Sequence, residues 1–248
     1  ARGLAGAIGN DKDRFHKLVD LSMSGCPFLP GLTIFYKRRD YVERCSPEYQ
    51  QKRMQYIGSL QGDLILILNS HLPLYFYRNN FVNKKGFETK APMMYAAQER
   101  DDSLTKRGAD FASSAMASVE FLRTKGRLAI IGSNHDNGWS VEDRARYLAK
   151  QGLTYVEIED ALRSPLELNR RWISPVNSIF SRAREKYEDL IFIDPASLLC
   201  NEKESVCSAL KDGYLLFSDS IHPSNRIGLK LYDAVMDEFK GSNDKFKN

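Results

Sequence analysis

Asp63-Leu64-Ile65-Leu66-Ile67-Leu68-Asn69 is the clearest structural signal in the chain. An unbroken apolar run of this length fits a strand buried on both faces, which occurs in parallel sheets covered by helices. Arg127 to Gly132 (RLAIIG) and Leu190 to Asp194 (LIFID) read the same way. Helix-like segments separate these runs. The first opens at Ser46-Pro47, where serine caps and proline suits the first turn, and extends to about Leu60. The second covers Ser103 to Lys125, with Phe111, Ala115, Val119 and Leu122 on one face, and Gly126 breaks it. Val141 to Gln151 follows, closed by Gly152, and then Leu166 to Tyr187, where Pro175 predicts a kink or a split. Strands alternating with helices predict a three-layer α/β sandwich with a mainly parallel sheet.

The remaining segments fit that frame less neatly. Thr33 to Tyr36 reads as a brief strand, and Thr154 to Ile158 as a strand or part of an insertion. Leu74 to Asp101, rich in Tyr, Phe, Asn and Lys, reads as a long irregular insertion or lid (74–101). Ala1 to Ile8 reads as a helix interrupted by Gly9-Asn10-Asp11, with no strand before it, so the first strand of the sheet is expected to be missing from this sequence. One domain is expected over residues 1–240, with a polar, fraying tail over 241–248.

Bulk properties narrow the function. The chain has 248 residues, 42% hydrophobic and 27% charged, which suits one large globular domain. The formal charge of +4 permits attraction to anionic envelope polymers, but there is no dense basic block or aromatic pattern that would predict nucleic-acid binding. The longest strongly apolar run, Leu64 to Leu68, is far short of a membrane span, and no signal peptide is present, so a tether or export signal is expected outside the chain. Cys26, Cys45, Cys200 and Cys207 form two local pairs without a C-x-x-C motif, so no metal site is expected. Two short disulfides, Cys26–Cys45 and Cys200–Cys207, would place the protein in an oxidising compartment; four free thiols in a cytosolic protein is the alternative.

The chemistry concentrates in Ser218-Asp219-Ser220-Ile221-His222-Pro223-Ser224-Asn225. It lies between the apolar run Tyr214 to Phe217 and a helix-like run, Ile227 to Phe239, that Ser224 is placed to cap. A loop between strand and helix is a rigid mount for an acid and an imidazole. His222 would take a proton from a nucleophile, while Asp219 orients the ring and stabilises its cation. The plain alternative is a turn rich in Asp, Ser and Pro with a surface histidine.

Asp219-x-x-His222-Pro223, followed by Gly228, resembles the last motif block of the SGNH/GDSL hydrolases. More narrowly, the chain resembles the SGNH domain fused to bacterial membrane acyltransferases of the acyltransferase-three family, which O-acylate envelope polysaccharides. Ser24-Gly25-Cys26-Pro27 with a second cysteine soon after, the strand Leu64 to Leu68, Gly138-Trp139-Ser140-Val141 after a strand, and Asp194-Pro195 ahead of Cys200 and Cys207 match in order. The family's Gly-Asp-Ser block, which holds the nucleophile, is absent, and Ala1-Arg2-Gly3-Leu4-Ala5 looks like the helix that follows it. The nucleophile is therefore expected upstream of Ala1.

The resemblance implies His222 as general base, Asp219 as its orienter, and Asn69 and Gly25 as oxyanion donors, although Asn69-Ser70-His71 departs from the family's Gly-x-Asn-Asp block. Trp139 and His71 are candidate substrate contacts. Ser133, with His135 nearby, is a minor candidate for an internal nucleophile, and His16 reads as structural or solvated. No cofactor is implied. The expected function is O-acyl transfer, most simply of acetyl, to an envelope polysaccharide at the periplasmic face of the inner membrane, with an N-terminal membrane acyltransferase domain as partner. The alternatives are a free-standing carbohydrate esterase and a non-catalytic glycan-binding domain.

Overall fold

The computed structural model describes residues 6, 8–9, 19–21, 26–35, 45–69, 81–82, 88–89, 93–96, 104–134, 137, 139–219 and 221–245. In chain order the elements are β1 (Leu32–Phe35), α1 (Pro47–Ser59), β2 (Ile65–Asn69), β3 (Phe81–Val82), β4 (Glu88–Thr89), β5 (Met93–Ala96), α2 (Leu104–Arg123), β6 (Arg127–Ile131), α3 (Val141–Lys150), α4 (Tyr155–Ala161), β7 (Ser164–Pro165), α5 (Leu166–Lys186), β8 (Ile191–Ile193), α6 (Ala196–Leu199), β9 (Cys200–Asn201), β10 (Val206–Cys207), β11 (Leu210–Lys211), β12 (Tyr214–Leu215) and α7 (Asn225–Lys245).

The three apolar runs build a parallel sheet in the order β2-β6-β8. β6 is central, and its successive side chains divide the core as strand geometry requires. Leu128 and Ile130 enter one cluster with Phe111, Ala115, Val119 and Leu122 of α2 and Val176, Ile179, Phe180 and Ala183 of α5. Ala129 and Ile131 enter the other, with Val141 and Leu148 of α3 and Ile227, Leu231, Val235 and Phe239 of α7. The result is the expected helix–sheet–helix sandwich. Gly126 lets β6 come alongside β2: a Cβ there would lie 2.5 Å from the Leu64 carbonyl oxygen, which accepts the Arg127 N–H at 2.9 Å.

Both disulfides form, Cys26–Cys45 and Cys200–Cys207. The first lies in a buried corner packed on α1 and α2. Gln50 Nε2 donates to the Pro27 carbonyl at 2.8 Å, and Ser118 Oγ donates to the Phe28 carbonyl at 2.9 Å.

Several expectations are corrected. β2 is half-buried along its length rather than fully buried, because among the described residues it is an edge strand with β6 as its neighbour. The 74–101 segment is not wholly irregular: β3 and β4 pair antiparallel, and β5 pairs with β1. Tyr155–Ala161 is a helix, not a strand, opened by a capping box in which Thr154 and Glu157 satisfy each other's backbone N–H.

Pro175 lies inside one continuous α5. An interior proline costs about 3 kcal/mol, but Ile173, Val176, Ile179 and Phe180 are all buried on that helix, at about 1.5–3 kcal/mol each. Gly9 is helical, while Asn10 and Asp11 of the expected interruption lie outside the described residues; α7 continues through Lys245 into the segment expected to fray. The Ser224 hydroxyl is buried without a hydrogen-bond partner, so it does not cap α7. The Ser224 carbonyl instead accepts the Gly228 N–H at 2.9 Å.

Candidate active site

Parallel strands end on the same side, so Asn69, at the end of β2, lies in register with Ile131 at the end of β6. The chain leaves β6 through Gly132, Ser133 and Asn134, and this exit meets the loop between β12 and α7. Asn134 Nδ2 donates to the Ile221 carbonyl at 2.7 Å, and the Val141 N–H reaches the Asp219 carbonyl at 3.4 Å. The crevice at the carboxyl ends of the strands is where open α/β sheets place their ligands.

The spacing of Asp219 and His222 has a local explanation. One carboxylate oxygen builds the turn: Asp219 Oδ1 accepts the N–H groups of Ile221 and His222, each at 2.8 Å. This is the Asx-turn geometry that aspartate favours. The other oxygen is left for the ring, and Asp219 Oδ2 lies 2.6 Å from His222 Nδ1. Two more hydrogen bonds close the base of the loop, with the His222 carbonyl accepting from Ser218 N at 2.9 Å and the Ser224 N–H donating to the Leu216 carbonyl at 2.9 Å. Phe217 and Pro223 form a bridge between the two stems.

Burial works to raise the Asp219 pKa, and the opposing hydrogen bonds from the His222 and Ile221 amides, the bond from the His222 ring and the charge on that ring together hold it below its ordinary value. The carboxylate therefore stays ionised and keeps the ring's Nδ1 as a donor. Nε2 is left for chemistry, on a side chain that is 63% exposed.

The other candidates separate. Ser133 is 2% exposed, and its backbone N–H donates to Asn177 Oδ1 at 2.8 Å, so it sits within the buried exit of β6. Trp139 is half-buried and packs against the cluster beneath α3 and α7. Gly25, His71, His135 and His16 lie outside the described residues. Among the described residues, no group of three or more His, Cys, Asp or Glu side chains is placed to hold a metal ion, and no helix is long and apolar enough to cross a membrane.

Two buried amides beside the Asp219–His222 loop and the β6 exit escaped the sequence reading. Asn134 is 8% exposed and Asn177 is 6% exposed. Asn177 carried a usable signal, since it falls on the apolar face of α5 with Ile173, Val176 and Phe180, where an amide needs a specific partner.

No curated protein matches the sequence. A solved structure with the same fold is the periplasmic domain of a lipopolysaccharide acetyltransferase from Salmonella ser. Paratyphi A; it is 15% identical, with a TM-score of 0.57 over 96% of this chain and 77% of that one. At this identity the likeness is one of fold. The family model of the SGNH domain fused to AT3 domains matches residues 1–237, and the chain belongs to that family.

Proposed function

We propose that this domain transfers an acyl group, most simply acetyl, from a serine to a hydroxyl of an envelope polysaccharide on the periplasmic side of the membrane, with an attached membrane acyltransferase domain supplying the acyl group. The observation that carries this reading is the Asp219–His222 pair, with the ring held through Nδ1 at 2.6 Å at the carboxyl edge of the sheet. Membership of the SGNH family and the fold shared with a lipopolysaccharide acetyltransferase domain support it.

In the first half-reaction, His222 Nε2 takes the proton of the serine hydroxyl as its oxygen attacks the acyl carbonyl. The leaving group departs with that proton, and an acyl-serine remains. In the second, His222 Nε2 takes the proton of the sugar hydroxyl as it attacks the acyl-serine, and then returns it to the departing serine oxygen. Asp219 stays ionised throughout and offsets the imidazolium charge. Asn69 at the end of β2, with Gly25, is the proposed source of hydrogen bonds to the tetrahedral oxyanion. The serine is proposed to present its hydroxyl to His222 Nε2 at this edge of the sheet.

The test is acetyl content of the surface polysaccharide in cells carrying the full-length protein. His222→Ala should abolish the modification while protein level and disulfides stay as in the wild type. Undiminished modification in that variant would refute the reading.

A further inference from the structure

The peptide unit that joins Ile221 to His222 is held at both ends. Its N–H donates to Asp219 Oδ1 at 2.8 Å, and its carbonyl accepts from Asn134 Nδ2 at 2.7 Å. The first bond lies within the loop. The second comes from 87 residues away in sequence, from the strand exit that the loop packs against.

That exit is itself clamped. Asn177, on α5, accepts the Ser133 N–H through Oδ1 at 2.8 Å and offers Nδ2 to the Ser133 carbonyl at 3.3 Å. The side chain fits because residue 132 is glycine: a Cβ there would lie 3.0 Å from Asn177 Nδ2, 3.1 Å from its Oδ1 and 3.1 Å from Phe192. A continuous path of hydrogen bonds and covalent links thus runs from the buried face of α5, through Ser133 and Asn134, to the backbone of His222.

We propose that Asn134, held in place through Asn177, is a positioning residue for His222. This deepens the acyl-transfer reading and rests on it for its catalytic consequence.

Three physical arguments support the assignment. A buried amide costs free energy unless its hydrogen bonds are made, so Asn134 and Asn177 have few alternative arrangements. Fixing the Ile221–His222 peptide plane fixes the N and Cα positions of His222, and the bond from the Ser218 N–H to the His222 carbonyl at 2.9 Å restrains the rotation about N–Cα that sets the Cα–Cβ direction, on which the reach of Nε2 depends. Donation to the peptide oxygen also polarises the same peptide, so its N–H is a stronger donor to Asp219 Oδ1. Asn134 therefore acts on both members of the pair through a single amide plane, and the exposed imidazole gains a rigid base on its buried side.

The experiment has two arms. In the full-length protein, turnover of p-nitrophenyl acetate is measured for the wild type, Asn134→Leu, Asn134→Asp and Asn177→Leu. Loss of the amide donor should lower kcat by about 10- to 100-fold and leave KM within about twofold, because geometry rather than binding is disturbed. Asn177→Leu should give a smaller fall, and combining it with Asn134→Leu should add less than the product of the two effects, since both act along one path.

In the second arm, long-range 1H–15N correlation spectra of the 15N-histidine-labelled full-length protein read the His222 tautomer at a pH where the ring is neutral, with His222→Ala for assignment. The wild type should carry its proton on Nδ1, and both Asn134 variants should show a mixture with the Nε2–H form. Asn134→Asp keeps the side-chain size and serves if Asn134→Leu does not fold.

Wild-type kcat together with an unchanged tautomer in a folded Asn134 variant overturns the inference. The second arm needs no activity, so it judges the positioning role even if His222→Ala leaves polysaccharide acylation intact and the functional reading itself fails.

Discussion

Two short excursions of the chain follow β8, and they are held by different kinds of tie. The first, from Cys200 to Cys207, is closed by a disulfide and by antiparallel pairing of β10 with β9 and with β7. The second, from Ser218 to Pro223, has no covalent link. It is held by the Asp219 carboxylate, by backbone bonds at its stems and by the Asn134 amide. The first holds scaffold in place whatever the state of its side chains. The second holds the acid and the imidazole, and its strongest tie exists only while Asp219 is ionised. A covalent staple serves where only shape matters. A charge-assisted network serves where the tie must also set which ring nitrogen carries the proton.

The sharpest way to break this comparison is to change the chemistry of one tie while preserving its shape. Asp219→Asn keeps an oxygen to accept the Ile221 and His222 amides but turns an amide N–H toward Nδ1, forcing the ring into the wrong tautomer. Activity of the full-length protein should fall by about 10³- to 10⁴-fold with the fold intact. Replacing Cys200 and Cys207 together with serine should change kcat by less than about threefold, because this tie orients no reacting group. Comparable losses in the two variants would erase the distinction.

The stability effects should run the other way. Chain-entropy arguments give about 2.5 kcal/mol for closing the Cys200–Cys207 loop and about 3 kcal/mol for the longer Cys26–Cys45 loop. Urea unfolding of the two double-serine variants should show losses of this order, the Cys26–Cys45 variant losing more.

The smallest effect concerns acid. Asp219 has a folded-state pKa below its ordinary value, so its contribution to stability is present above the unfolded pKa of about 3.9 and is lost as pH falls through the lower folded value. Amide resonances of Ile221 and His222 should therefore titrate together with a midpoint below about pH 3.9, while those of Val206 and Cys207 do not follow. A midpoint above that value would show that desolvation, not the hydrogen bonds, dominates at Asp219.

How legible all this was in the sequence depended on the range of the interaction. The sheet was legible because β2, β6 and β8 are unbroken apolar runs, and their alternation with helices leaves few topologies. The acid–base pair was legible because its geometry is local, with one carboxylate building a turn over three residues. The disulfides were legible from two close cysteine spacings.

What was missed is mostly non-local. The exposure of β2 depends on its place in the sheet, and β1 pairs with a strand some 60 residues later. The uninterrupted α5 depends on packing that outweighs Pro175. Asn134 looks like a surface loop residue until the fold brings Ile221 to it, and Asn177, though its place on the apolar face of α5 marks it as buried, has no visible partner until the fold brings Ser133 to it. The capping box at Thr154 and Glu157 was the exception, a local signal that was present and outweighed by the apolar residues beside it.

The central claim is that His222 serves a serine. The direct measurement is labelling of the full-length protein with a serine-directed fluorophosphonate, followed by peptide mass spectrometry. The account predicts one modified serine, whose labelling is abolished by His222→Ala and strongly reduced by Asp219→Asn. A folded full-length protein that takes no label, or whose label persists undiminished in His222→Ala, would contradict it.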